Sequence, residues 1–438
     1  MKSTIRLVQA REVFDARGMP TVEVDVLLED GTCGRAAAPG STSTGGNEAF
    51  VLRDGDPGYY NGMGVSKAAR NASTEISAAL CGLDATDQER VDRRMIELDG
   101  TPNKARLGAN AIIATSLATA KAAAASRKVH LFEHMGGGAV LPLVQANVMF
   151  GGPAYVGVKG TGDFQEYKLV ALSASSYKEG FLRILRVFHR FRETLLRRRG
   201  SNIPRLPLVA GTLTATFESN DDALAMLTRA VEAEGFEPRK DFGLYLDIAA
   251  TQLYKDGQYH LSADGQVLSR EQWIDRLDDM CRKFPIVSLE DCLFEDDWEG
   301  WAILTKRLGK RVQLVGDDLF TTNPQRLKKG IAMGVANAIV IKPNQVGTLT
   351  ETYATVRLAK AAGYGTVVSP RSGELHDPYV AHLCVGQALG QAKGVSCPVG
   401  GPYLNDFLRI AEALGPRAEY RGKETLAGFL MRFDNQIG

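Results

Sequence analysis

Cysteines are few in this chain of 438 residues, and none of the six forms a C-x-x-C pair. Cysteine zinc sites need close pairs, and disulfide frameworks need dense cysteine spacing. Neither a structural zinc site nor a disulfide framework is therefore expected, and a reducing compartment is favoured. The six lie far apart, at Cys33, Cys81, Cys281, Cys292, Cys384 and Cys397.

An excess of charge of one sign is also missing, since 52 lysines and arginines balance 51 aspartates and glutamates to a net charge of +1. Nucleic-acid and membrane-surface binding usually need a strongly basic chain, so neither partner is expected. The N-terminal segment lacks the apolar core of a signal peptide, and no apolar run has the length of a transmembrane helix. The sequence thus predicts a cytoplasmic protein.

Two patterns divide the chain, and they predict an N-terminal domain over residues 1–138 and a C-terminal domain over residues 139–438. Residues 21–28 alternate apolar and polar side chains and lead into a hairpin turn at 29–31. Helical spacing follows in three stretches, at 66–80, 87–98 and 109–126. A meander followed by helices predicts an α+β domain.

After residue 141, short apolar runs alternate with amphipathic helices. This alternation predicts a parallel sheet, and about 300 residues is a usual size for a decorated (β/α)8 barrel. The expected strands are 242–248, 286–289, 313–315, 338–341 and 366–368. A final helix and a short tail are expected from residue 411 onward.

Charged residues stand at the ends of four of these strands. Asp247, Glu290 and Asp317 each follow a short apolar run, and Lys342 follows the run 338–341. Because the C-terminal ends of barrel strands converge on one face, three carboxylates and a lysine are expected around one cation. Oxygen ligands suit Mg²⁺, and a lysine near a metal-bound carboxylate suits removal of a proton next to a carbonyl.

At these and other motifs the chain resembles the enolase family over nearly its whole length. The matching segments fall in family order, which makes a chance resemblance negligible. They are residues 10–24, 107–112, 163–167, 288–291, 295–301, 315–319, 342–351 and 369–374. The resemblance implies an α/β fold in which a small N-terminal α+β domain caps a modified (β/α)8 barrel. It also implies assembly as a homodimer or homo-octamer.

The resemblance implies roles for the strand-end residues. Asp247, Glu290 and Asp317 match the carboxylates that hold Mg²⁺ in the family. Lys342 matches the base that removes the C2 proton of 2-phosphoglycerate, and Lys393 matches the lysine that holds the substrate carboxylate. This agrees with the chemistry, because such a proton is very weakly acidic and needs cations and a lysine of lowered pKa. The positive charges of a second lysine and of a metal ion lower the pKa of a lysine by repulsion.

Further positions match groups that contact the rest of the substrate. Arg371 and Ser372 match the family's phosphate-binding pair. Gln165 and Glu166 match polar groups beside the leaving 3-hydroxyl. The family's SGAST loop, which closes on a second metal ion through its first serine, reads GSTST from Gly40 here, and Ser41 of this loop is expected to bind substrate.

The departures from the family lie on the side of the 3-hydroxyl and the phosphate. Ala210 stands where the family carries the glutamate that protonates the departing hydroxyl. Ala154, in a lengthened loop, replaces a histidine, and Pro370 replaces another. Hydroxide is a poor leaving group, and general acid catalysis is worth ~10²–10⁴-fold, so ordinary enolase turnover is not expected.

The first hypothesis is a changed reaction. Small residues at Ala154 and Ala210 vacate volume for a second substrate, an activated phosphorus donor that makes the hydroxyl a better leaving group. An enolase-like enzyme of phosphonate and phosphinate antibiotic pathways uses such a donor, and the chain is similar to what is expected of that enzyme. That enzyme joins a CMP-linked donor, CMP-phosphonoformate, to a phosphoglycerate to give carboxyphosphonoenolpyruvate. Tyr155 and Lys159 would then contact the nucleotide.

Two other hypotheses stay open. One is a diverged enolase that makes phosphoenolpyruvate with a relocated acid, which would be Glu166, Glu218 or His376. The other is a non-catalytic binding protein on an enolase fold, although such a protein has no need for two lysines and three metal carboxylates. Asp291 and Asp318 are interpreted as support for the metal ligands rather than as ligands.

Overall fold

An antiparallel sheet and a set of helices form the N-terminal part of the chain. The computed structural model describes residues 3–41, 45–157, 159–199, 208–209, 212–375, 377–394, 396 and 402–426. The sheet consists of Ile5–Phe14, Pro20–Leu28 and Cys33–Ala37, each antiparallel to the next. The predicted meander and its hairpin turn are thereby confirmed.

The predicted helices of this module are present, with ends that differ by a residue or less. The first stretch comprises Ser66–Asn71, a π-helical turn Ala72–Ile76, and Ser77–Leu80, and it is followed by Gln88–Asp99 and Ala109–Ser126. The short helix Leu131–His134 was not predicted. Alanine, the best helix former, dominates Ala109–Ser126. This helix packs on the sheet so closely that a Cβ on Gly34 would lie 2.1 Å from the carbonyl oxygen of Ala118. Only glycine permits that approach.

A sheet of ten strands builds the second module. From one edge its order is Gly390–Ala392, Gly365–Val368, Ala338–Ile341, Gln313–Gly316, Ile286–Glu290, Phe242–Asp247, Glu166–Ala171, Gln145–Phe150, Thr212–Leu213 and Leu208–Val209. Bridges from Leu143 to Gln391 and from Asn147 to Ser396 join its first and last parts. The sheet therefore closes into a barrel, with Leu208–Val209 and Thr212–Leu213 as a hairpin beside it.

The expectation of a parallel sheet is wrong at Glu166–Ala171 and at the hairpin of Leu208–Val209 and Thr212–Leu213. Pairing is parallel from Phe242–Asp247 to Gly390–Ala392. Glu166–Ala171, however, runs antiparallel to both of its neighbours, with Glu166 opposite Asp247. The beginning of this strand thus lies at the same end of the barrel as the ends of the others.

Alternate residues of the strands fill the barrel. Tyr245, Val287, Val315, Val340 and Val367 belong to one buried cluster. Side chains two residues apart on a strand share a face. The residue two positions after Tyr245, Val315 or Val340 is therefore directed toward the mouth of the barrel. This periodicity places three charged residues, Asp247, Asp317 and Lys342, around one opening.

Helices surround the barrel, and each of the longer ones follows a strand. They are Pro153–Val156, Tyr177–Arg199, Asn220–Ala233, Arg270–Lys283, Trp298–Leu308, Pro324–Met333, Pro343–Val346, Leu349–Ala361, Tyr379–Gly386 and Pro402–Leu414. A three-stranded excursion, Tyr254–Lys255, Gln258–Leu261 and Gln266–Leu268, was not predicted. Within the described parts of the chain, no helix has the length and apolar character needed to cross a membrane.

A buried carboxylate fixes the N-terminal module to the barrel. One oxygen of Asp92 accepts hydrogen bonds from the backbone N–H of Thr350 at 2.9 Å and from its hydroxyl at 2.7 Å. The other oxygen accepts a bond from Gln88 Nε2 at 3.0 Å. Burial raises the pKa of Asp92 to about 6. Since Thr350 lies in the first turn of Leu349–Ala361, Asp92 holds the start of a barrel helix.

Asp92→Ala is expected to lower the free energy of unfolding by about 1–3 kcal/mol, because buried donors on Thr350 and Gln88 lose their acceptor. Urea denaturation measures the change. Glu89→Ala is the matched control on the same helix, since Glu89 pairs with Arg93 on the exposed surface. Its effect should stay within about 0.5 kcal/mol. Equal free energies of unfolding for the two variants would show that Asp92 does not stabilise the contact between the N-terminal module and the barrel.

Candidate active site

The predicted strand-end residues meet in one cleft at the mouth of the barrel. Lys393 stands at its centre. Its Nζ lies 3.2 Å from Asp247 Oδ2 and 3.6 Å from Asp317 Oδ2. It also contacts Glu290 Oε1 and lies 4.0 Å from Glu166 Oε2. The structure therefore brings together the lysine and the carboxylates that the sequence singled out.

Each lysine of the cleft forms ion pairs with carboxylates. Lys342 Nζ contacts Asp317 Oδ2. Burial would raise the pKa of Asp317, but the charges of Lys342 and Lys393 outweigh burial and hold that pKa well below its usual range. Burial would likewise lower the pKa of Lys393, but Glu290 and Asp247 outweigh it and raise the pKa. Lys393 is therefore a charged group among these carboxylates.

Glu166 reaches the cleft because its strand is antiparallel. It is the first residue of Glu166–Ala171 and lies opposite Asp247. Lys168, two residues on, shares its face, is fully buried and lies 2.5 Å from Glu166 Oε2. Burial would raise the pKa of Glu166, but the charges of Lys168 and Lys393 outweigh burial and lower it. Glu166 is therefore an ionised group in this cleft.

Three buried carboxylates could hold a metal ion. Asp247, Glu290 and Asp291 offer oxygens that all lie within 4.8 Å of one another. Burial and the nearby Asp247 raise the pKa of Glu290 to about 8, which shows how costly this concentration of negative charge is. No donor among the described residues bonds to Asp247 Oδ1. Clustered carboxylate oxygens and an oxygen without a donor fit a hard divalent cation such as Mg²⁺.

Asp291 differs from the predicted ligands in its surroundings. Its two oxygens accept hydrogen bonds from the backbone N–H groups of Asp317 at 2.9 Å and of Asp318 at 3.0 Å. Asp291 thus fixes the turn that carries Asp317. This contact agrees with the predicted supporting role, although Asp291 also stands close enough to Asp247 and Glu290 to be a ligand.

The predicted phosphate-binding residues line another part of the same cleft. Arg371 and Ser372 face the cleft together with Ser41 from the N-terminal module. Arg371 is buried, and its guanidinium contacts the Ser41 hydroxyl. It also forms an ion pair with Glu48 at 3.0 Å. The N-terminal module therefore completes this wall.

Gln165 and Tyr155 border the cleft on the side of the lengthened loop. Gln165 Oε1 accepts a hydrogen bond from Gln252 Nε2 at 3.1 Å. Burial and the charges of Glu166 and Asp247 raise the pKa of the Tyr155 hydroxyl. The Tyr155 hydroxyl is therefore a poor acid.

Other predicted positions fall outside the cleft. Ala154 lines a neighbouring pocket, and Lys159 is exposed in a turn without lining either space. Glu218 is exposed and forms an ion pair with Arg198 at 2.9 Å away from the cleft, so it does not fit the hypothesis of a relocated acid. Ala210 and His376 lie outside the described residues.

Two charged residues of the site were not predicted from the sequence. Lys168 follows Glu166 at the spacing of one strand face, which is the signal that could have revealed it. Glu48 carries no such signal, because its ion pair with Arg371 joins residues 323 positions apart. Only the packing of the two modules brings them together.

The fold and site define a barrel protein whose N-terminal α+β module completes a charged cleft at the strand ends. Two family models match it: residues 5–135 match the enolase N-terminal domain, and residues 138–428 match the enolase C-terminal TIM barrel domain. The chain belongs to the enolase family. The predicted fold class is thereby confirmed, and family membership indicates an enzyme.

Proposed function

We propose that this protein is a carboxyphosphonoenolpyruvate synthase. One 2-phosphoglycerate and one CMP-phosphonoformate would give one carboxyphosphonoenolpyruvate, one CMP and one inorganic phosphate. This stoichiometry balances all atoms, because the hydroxyl lost from C3 and the proton lost from C2 are both recovered in the phosphate and CMP.

The observation that carries the proposal is the state of two acids of the cleft, Glu166 and Tyr155. Lys342, Lys393 and the carboxylate cluster are assembled, as proton removal requires. Glu166, however, is held ionised beside Lys168, and Tyr155 is a poor acid. Neither residue is suited to protonate a departing hydroxide. The phosphate of 2-phosphoglycerate would pass from the C2 oxygen to the C3 oxygen, and the freed C2 oxygen would attack the donor phosphorus with release of CMP. Phosphate would then leave C3 as C2 loses its proton, and phosphate, unlike hydroxide, is a leaving group that needs no strong acid.

Each residue of the cleft has its own role in the proposed reaction. Lys342 in its neutral form would accept the C2 proton at Nζ, and Lys393 would hold the substrate carboxylate. Arg371 and Ser372 would bind the phosphate. Asp247 and Glu290, with a third carboxylate, would hold Mg²⁺, which stabilises negative charge developing on the carboxylate when C2 is deprotonated.

Two assays with Mg²⁺ on the purified protein test the proposal. One offers 2-phosphoglycerate alone and follows phosphoenolpyruvate by absorbance. The other adds CMP-phosphonoformate and follows products by ³¹P NMR. Lys342→Ala protein, purified in the same way, measures the background from host enolase.

We expect turnover only when the donor is present, with phosphate and CMP released in equal amounts. Robust phosphoenolpyruvate formation without the donor, above the Lys342→Ala background, would instead establish a diverged enolase with a relocated acid. No turnover in either assay, with Mg²⁺ and 2-phosphoglycerate bound, would favour a binding protein and overturn the proposal.

A further inference from the structure

A second pocket opens directly beside the charged cleft. It offers about 180 Å³ of space. The two spaces share Gln165, Ala249 and Gln252. Since Gln252 Nε2 donates to Gln165 Oε1 at 3.1 Å, the two amides form the border between them. One ligand could therefore extend from the pocket into the cleft.

This pocket has far fewer charged side chains than the cleft. Among the described residues that line it there is no lysine or arginine, and the single carboxylate is Asp163. That carboxylate already accepts hydrogen bonds from the backbone N–H of Ser262 at 2.9 Å, from its hydroxyl at 2.7 Å and from Asn220 Nδ2 at 2.7 Å. A phosphate finds no cation here, so the pocket favours an uncharged part of a ligand.

The walls combine apolar surface with hydrogen-bonding groups. Pro153, Ala154, Ile248 and Leu253 supply the apolar surface. His260, on the unpredicted excursion, adds an aromatic ring, and Gln252 adds an amide. Apolar walls and an aromatic ring suit a flat heterocycle, while the amide suits its polar edge.

We propose that this pocket binds the nucleoside part of the CMP-linked donor, so that the donor's phosphorus reaches the cleft across the Gln165–Gln252 border. This inference rests on the proposed function. It explains why Ala154 is small, because a larger side chain there would occupy the space of the base or ribose.

Titration calorimetry with CMP and Mg²⁺ tests the pocket directly. Ala154→Trp should weaken CMP binding by about tenfold or more and raise the KM for CMP-phosphonoformate, without changing affinity for 2-phosphoglycerate. His260→Ala, which adds no bulk and so guards against misfolding, should weaken CMP binding roughly tenfold through lost stacking. Ala125→Trp, at an exposed alanine of the N-terminal module, is the matched control and should bind CMP like the wild type.

The outcomes separate the two proposals. If the wild type binds CMP and uses the donor while Ala154→Trp and His260→Ala bind CMP equally well, the pocket assignment is wrong and the proposed function stands. If the wild type neither binds CMP nor uses the donor, both are overturned. Weakened 2-phosphoglycerate binding in Ala154→Trp would mean that the pocket belongs to the first substrate.

Discussion

Turnover of the Lys342→Ala variant is expected to fall by at least ~10²–10⁴-fold, the range associated with loss of a general base. Lys342 follows the strand Ala338–Ile341, and its amine lies in the cleft beside Asp317. It is the lysine best placed for proton removal, since Lys393 is enclosed by Glu290 and Asp247. The donor-dependent assay measures the loss.

The fold of this variant should be retained. Asp317 would keep its hydrogen bond from Gln345 Nε2 at 2.9 Å and its position 3.6 Å from Lys393 Nζ. The carboxylate that loses Lys342 is therefore not left without a partner. Circular dichroism and a thermal melt close to those of the wild type would verify that loss of activity is not loss of structure.

Lys342→Arg distinguishes a base from a mere positive charge. Arginine keeps the charge beside Asp317 but does not give up its proton in proteins. If Lys342 is the base, the arginine variant should be as inactive as the alanine variant. Substantial activity in Lys342→Arg would show that only the positive charge is needed, and that Lys342 is not the base.

The sequence predicts most of the strands that carry the site, because each signal is local. An apolar run that ends in a charged residue identifies Ile286–Glu290 and Ala338–Ile341 without any knowledge of tertiary structure. The direction of Glu166–Ala171 has no such signal. All six of its residues are buried, so the strand lacks the alternation of buried and exposed residues that is typical of many antiparallel strands.

The composition of the site was less predictable than its location. Asp291 was interpreted as a supporting residue, yet its carboxylate stands within reach of those of Asp247 and Glu290. Adjacent residues on a regular strand point to opposite faces, but Asp291 lies just after Ile286–Glu290 and has a φ of 44°. This left-handed backbone turns its side chain back toward the cleft. Local sequence does not reveal such a turn at a residue other than glycine.

Removal of a metal ligand should produce the second large effect. Asp247→Asn keeps the shape of the side chain but removes its charge and one carboxylate oxygen. Mg²⁺ affinity should fall at least about 10–100-fold, the loss that changes to groups supporting a ligand already cause. Calorimetric titration of Mg²⁺ without substrate measures this independently of turnover. Asp296→Asn, at an exposed acid paired with Arg326, is the control and should bind Mg²⁺ like the wild type.

The same titration decides which carboxylate is the third ligand. We expect Asp317→Asn to weaken Mg²⁺ binding as much as Asp247→Asn does. Asp291→Asn should weaken it less, because both oxygens of Asp291 already accept backbone hydrogen bonds and the change would act only by loosening the turn. The reverse order would make Asp291 the ligand. Asp317 would then serve mainly to hold Lys342, and the charge of the metal site would be supplied by Asp247, Glu290 and Asp291.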